Sequence, residues 1–403
     1  MDRRTMVRAA PVAAAVLLLA AACGGSDSTS SASGSGGAAA APPSMAAASS
    51  VGTGEGQLNI IAWAGYAEDG STDKTQDWVH PFTAQTGCAV NVKVANTSDE
   101  MVTLMKTGQY DGVSASGDAT LRLMYGGVVA PVNTSLVPNY ATVATFLKDK
   151  PWNSGGGKMY GIPHGWGANV LMYNSSTITT APTSWSAVFD ANSPYKGKIT
   201  AYDSPIYIAD AAMYLMATKP DLKITNPYAL DQTQFKAAVD LLKQLKQNWS
   251  RPWAAYTDEV TDYESGATVI GTAWQINANI INGDGKVKVD TTVPKEGVTG
   301  WSDTWMIAAK AAHPNCMYKW MDYIISPKVN AQVAQWFGEA PAQTKACDEA
   351  EKGFCDGYHA LDSAYASKIY YWTTPTKDCL DGREGAICTD YSAWTQAWTE
   401  IKG

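Results

Sequence analysis

Positive charge and histidine are scarce in this chain. Its 403 residues carry 30 Lys and Arg against 38 Asp and Glu, and only six of the cations are Arg. A net charge of -8 repels phosphate backbones, so nucleic acid is excluded as a partner. The four histidines, His80, His164, His313 and His359, are scattered and form no HExxH pair. No GxSxG elbow and no phosphate loop occurs either. The nearest candidate, Asn153-Ser154-Gly155-Gly156-Gly157-Lys158, lacks a strand before it. Trp152 stands where its first Gly belongs, and Met159 replaces the Ser or Thr after the Lys, so a surface loop is expected. Asp69, Asp258, Glu259, Asp262 and Glu264 fall on loops and helix starts, and solvated surface is the expectation for all five. No enzyme, metal or cofactor is therefore expected.

What is present is a globular composition: 45% hydrophobic and 17% charged residues, long enough for two cores at roughly 100–200 residues per domain. The aromatics are skewed, with 15 Trp and 20 Tyr against 6 Phe. Trp and Tyr favour wet, ligand-facing surfaces, so the bias leans toward recognition.

The N-terminus addresses the compartment. Arg3, Arg4 and Arg8 precede an apolar run, Val12 to Ala22, too short to span a bilayer. Residues 1–22 thus predict a signal peptide. Its end, Leu19-Ala20-Ala21-Ala22-Cys23, resembles a bacterial lipoprotein signal, which implies lipidation of Cys23; ordinary cleavage nearby would leave Cys23 an odd thiol. Residues 23–56 are mostly Gly, Ala, Ser and Pro and predict a disordered leash of roughly 30 Å r.m.s. span for about 30 residues. No later apolar run is long enough to cross a membrane. Six cysteines remain: Cys88, Cys316, Cys347, Cys355, Cys379 and Cys388. An even count in an exported chain predicts disulfides. Spacing favours Cys347–Cys355 and Cys379–Cys388, leaving Cys88 and Cys316 across a long gap.

Strand and helix patterns alternate. Leu58 to Trp63 predicts a buried strand; Trp78 and Phe82 predict a helix ending near Gly87 that Pro81 must distort. Ala89 to Ala95 alternates, with Val90, Val92 and Val94 on one face. Thr97-x-x-Glu100 predicts a capping box and a helix through Met105. A strand over Tyr110–Ala115 and a helix stopped by Gly126-Gly127 follow. The second half repeats this grammar: a helix over Gln234–Asn248, a strand over Val269–Trp274, alternation from Val287, and helices over Asn315–Ile325 and Val329–Phe337. This predicts an α/β protein with a largely parallel sheet.

Several ordered segments resemble the bacterial spermidine/putrescine-binding proteins, solute receptors of ABC importers. These are Leu58 to Tyr66 (LNIIAWAGY), Tyr110-Asp111, Gly161 to Gly167 (GIPHGWG), Thr183-Ser184-Trp185, and Val293 to Gly297 followed by Trp301-Ser302-Asp303. The resemblance implies a two-lobed periplasmic-binding-protein-like fold with a ligand cleft between the lobes. Lobe one is placed at 57–167 and 302–345, lobe two at 168–301 and 346–403, with crossovers near Trp166–Ala168, Gly297–Trp301 and residue 345. It implies a monomeric, lipid-anchored receptor on the extracytoplasmic face of the cell membrane, handing a small organic cation such as a polyamine to permease subunits. The implied ligand residues are Trp63, Tyr66, Ser116, Asp118, Asp203, Trp274, Trp301, Asp303 and Glu339. Departures from the family pattern fall at Ile206, Glu339, Ala64 and Asp118. Two rivals share the fold. A sugar receptor would use Trp and Tyr faces, and a ferric-iron receptor would use a pair such as Tyr370-Tyr371.

Overall fold

The computed structural model describes residues 42–403. The predicted signal peptide, Cys23 and the start of the leash lie outside the described residues. The strands, in chain order, begin with β1 (Gln57–Ala62), β2 (Ala89–Val94), β3 (Gly112–Ala115) and a hairpin of β4 (Ser154–Gly155) and β5 (Lys158–Met159). They continue with β6 (Ile162–Ala168), β7 (Val170–Asn174), β8 (Ile199–Thr200), β9 (Ile270–Ala273), β10 (Val289–Thr292), β11 (Val298–Ile307), β12 (Ala340–Pro341) and β13 (Ile369–Tyr371). One sheet runs β12-β6-β11-β3-β1-β2, with β13 beside the start of β11. A second runs β10-β7-β9-β8.

The two sheets are stitched by continuous chain. β6 passes through the single residue Asn169 into β7, and β10 returns through residues 293–297 into β11. That return corrects the expectation of a largely parallel sheet. β1 pairs in parallel with β2 and β3, but β11 comes back from the other sheet and so runs antiparallel to β3 and β6. β7 is likewise antiparallel to β9 and β10. All ten residues of β11 are buried, as a strand covered on both faces requires.

Most elements form where the local pattern predicts them. Pro81 does not distort its helix, Val79–Thr86, because it lies in the first turn, where its missing N–H has no partner to lose. Thr97 accepts from the Glu100 N–H at 3.1 Å, but the Glu100 carboxylate reaches back to the Asn96 N–H rather than to Thr97. β2 alternates as expected, yet it is the sheet edge, and Val92 and Val94 are exposed. The Trp surplus is also shared with the core: Trp78, Trp166, Trp185, Trp253, Trp305, Trp320 and Trp394 are fully buried. Glu259 and Asp262 are not solvated surface. Glu259 is buried against Asn277, and Asp262 pairs with Arg251 at 3.0 Å.

The leash is shorter than composition implies. Asn133 donates to the Ala48 carbonyl, and Gly52 N–H donates to Asn315. Glu55 accepts from the Asn315 and Cys316 N–H groups at 2.9 Å, filling free donors at the start of helix Pro314–Ile324. These bonds hold residues 48–55 to the body, so the disordered linker does not extend to residue 56. Disulfides join Cys88 to Cys316, Cys347 to Cys355 and Cys379 to Cys388. The C-terminal helix, Tyr391–Lys402, is capped by Asp390 and packs on helix Gln232–Leu245, which opens with a capping box from Asp231 and Gln234. Among the described residues no helix is long and apolar enough to cross a membrane.

Candidate ligand cleft

Strand ends deliver the side chains. The loop after β1 carries Trp63 and Tyr66, Ser116 follows β3 as the N-cap of helix Gly117–Tyr125, and Trp274 follows β9. Trp301 and Asp303 lie on β11 where it leaves the crossing. Carboxyl ends of strands are where open α/β sheets place ligands. These six expected residues line one cavity, together with Phe337 and Trp372. Phe337 and Trp372 were not foreseen. Phe337 ends an apolar helical face that reads as core, and Trp372 follows β13, a strand too short to announce itself.

The walls are aromatic and interlocked. Trp63 meets Trp274 edge-on at 6.0 Å, Trp301 meets Phe337 at 6.0 Å, and Trp372 stacks on Tyr202 at 5.6 Å. Glycines make this packing possible. A Cβ at Gly167 would strike the Trp301 ring, and one at Gly165 would strike the Glu339 carboxyl. The crossing holds one wall directly: Trp274 Nε1 donates to Asn169 Oδ1 at 3.1 Å, and Asn169 Nδ2 donates to Thr299 at 2.7 Å.

At the floor, Ser116 Oγ donates to Asp303 Oδ1, and Tyr66 Oη lies 2.8 Å from Asp303 Oδ2 and 2.9 Å from Glu339 Oε2. Burial pushes the Asp303 carboxyl up to about 6, against the lowering effect of the Ser116 and Tyr66 hydroxyls. Glu339 is pushed well above the usual carboxylate range by burial and then by the Asp303 charge. His164, fully buried, is lowered to about 3 by desolvation and is neutral; its Nε2 lies 2.7 Å from Ser114 Oγ. A buried carboxylate ringed by aromatic faces suits an organic cation.

Two expected ligands lie elsewhere. Asp203 turns to the C-terminal helix, accepting from Trp398 Nε1 at 2.8 Å and pairing with Lys402 at 2.9 Å. Asp118 sits behind the cavity, accepting from Ser98 at 2.9 Å; burial raises it to about 7 despite nearby Arg122. Glu339 touches the cavity only through Tyr66. A small chamber adjoins it, sharing Trp63, Trp274 and Phe337. Another shares Trp301 and includes Glu339. Tyr371 stacks on Trp152 at 4.6 Å, so this tyrosine packs rather than opening to a metal.

The sequence profile of the bacterial extracellular solute-binding proteins matches residues 77–353. The spermidine/putrescine-binding periplasmic protein of Escherichia coli (strain K12) is 24% identical over 297 residues, covering 70% of this chain and 81% of that one. A solved structure of a putative spermidine/putrescine ABC transporter from Listeria monocytogenes superposes with a TM-score of 0.71 at 18% identity, covering 86% of this chain and 99% of that one. A Treponema pallidum lipoprotein superposes with a TM-score of 0.67 at 15% identity, covering 86% and 99%.

Proposed function

The chain belongs to the bacterial extracellular solute-binding proteins, receptors rather than enzymes, and from that premise we propose that it captures a small organic cation for an ABC importer. The observation that carries the reading is Asp303, buried among aromatic faces with Tyr66 and Ser116 beside it. The polyamine names of its relatives support a polyamine as the first candidate. The site is the set Trp63, Tyr66, Ser116, Trp274, Trp301 and Asp303, extended by Phe337 and Trp372. The lobes are 57–167 with 302–345 and 168–301 with 346–403, closing over the solute to signal the permease.

In this reading the protein works as a monomer, and Cys23 carries a lipid that holds it at the outer face of the cell membrane; the lipid anchor, though not the monomer state, has a parallel in the Treponema lipoprotein of the same fold. Cys23→Ala should release it in soluble form, and a variant that stays membrane-bound overturns the anchor. The solute is tested by thermal shift against polyamines, other amines and neutral sugars. A ligand at about 100 times its Kd stabilises by roughly 2.7 kcal/mol, which is readily seen. Stabilisation by sugars alone would replace the cation reading with that of a sugar receptor.

A further inference from the structure

The floor of the cleft is short of protons. Three oxygens ask for two hydrogens: Asp303 Oδ1 takes the Ser116 hydroxyl, while Asp303 Oδ2 and Glu339 Oε2 both contact Tyr66 Oη. A phenol has one hydrogen and can donate to only one of them. If both carboxyls were ionised, one of these close contacts would set a carboxylate oxygen against a phenol lone pair. The contact becomes a bond if Glu339 keeps its proton, donates it to Tyr66 Oη, and Tyr66 donates onward to Asp303. The groups facing Glu339 are Tyr66, Asp303, His164 at 3.7 Å and Tyr358, and none supplies a cation in place of that proton. Among the described residues no Lys or Arg lines the cavity or either adjoining chamber. Among the described residues no carboxylate lines the chamber beside Trp63, Asp203 is spent on Lys402, and Asp118 stands outside the cavity lining, bonded to Ser98.

We infer that the cleft presents a single negative charge, on Asp303, with Glu339 held as the neutral acid, so that its solute is a compact singly charged amine or quaternary ammonium rather than a di- or triamine. This rests on the cation reading above and departs from the polyamine candidate that the names of its relatives supply. Trp63, Trp274, Trp301 and Trp372 line the same cavity as Asp303, and aromatic rings stabilise an ammonium without a second carboxylate. Among the described residues lining the cavity and its two chambers, a second ammonium would find only Glu339, and would have to expel its proton to be paired.

The test is calorimetric titration of the exported protein with n-butylamine and putrescine, which share a chain length and differ by one charge. Butylamine should bind at least about tenfold more tightly than putrescine. Titrations at about pH 8, where Asp303 is already ionised, in two buffers of different ionisation enthalpy should show no net proton release with butylamine. Glu339→Gln, which mimics the neutral acid, should leave butylamine affinity within about threefold, whereas Asp303→Asn should abolish most of it. Equal or tighter binding of putrescine, proton release with butylamine, or equal losses in the two variants would overturn the inference while leaving the cation reading intact. Binding of maltose with no response to any amine would overturn both.

Discussion

Replacing Asp303 by Asn should make the empty protein more stable and the receptor worse, and the two effects can be separated by pH. Asp303 rises from 3.8 to about 6 in the fold because it is buried. The folded state therefore holds this proton more tightly than the unfolded chain does. Its contribution is fully present below the unfolded value and is lost as pH rises through about 6. At 1.36 kcal/mol per unit, an ionised Asp303 costs the empty protein roughly 3 kcal/mol near neutral pH. An amide escapes that cost but accepts weaker hydrogen bonds from Ser116 and Tyr66, leaving a net gain of about 1–2 kcal/mol. Thermal unfolding without ligand should then show Asp303→Asn melting about 2–5 °C above the parent near neutral pH. The gap should close toward about pH 4–5, where the parent's Asp303 is itself protonated. Amine affinity should fall by about 2–5 kcal/mol in the same variant, because the charge opposite the solute is gone. A variant that is less stable at both pH values, or that binds amines as tightly as the parent, would refute the reasoning.

Asp203→Asn should leave amine affinity unchanged in calorimetry and cost at most about 1 kcal/mol of stability, since its partner Lys402 is half-exposed; a loss of affinity would return Asp203 to the cleft. Trp372→Leu removes an aromatic wall and should weaken amine binding by about 1 kcal/mol or more, with an unchanged Kd as the contrary result. Converting Cys88 and Cys316 together to Ser opens a link across 228 residues and should cost about 5 kcal/mol or slightly more in urea unfolding on the chain-entropy account. A cost below about 1 kcal/mol would mean that the unfolded chain gains little freedom there.

Much of this protein was legible in one dimension. Apolar runs such as Leu58–Ala62 and the face of helix Gln232–Leu245 announce themselves because burial and period are local properties of the chain. The ordered motifs around Trp63, Tyr66, Trp301 and Asp303 placed six of nine expected ligands on the cavity wall, since strand ends have fixed roles in such a fold. Charge could not be assigned the same way. Asp203 and Asp303 both follow apolar segments, yet one meets Lys402 and the other meets Tyr66 and Ser116. Glu259 looked solvated from its neighbours in sequence and is buried against Asn277. The leash, judged by composition, was set as far as residue 56, but Glu55 is captured by helix donors 260 residues away. The amino-acid order alone therefore determined most of the elements and the family, both written in local pattern. Only the folded chain decided which carboxylates are free to meet a solute and that Trp372 closes the wall, because a carboxylate's partners and a cavity's lining are set by residues brought together from distant parts of the chain.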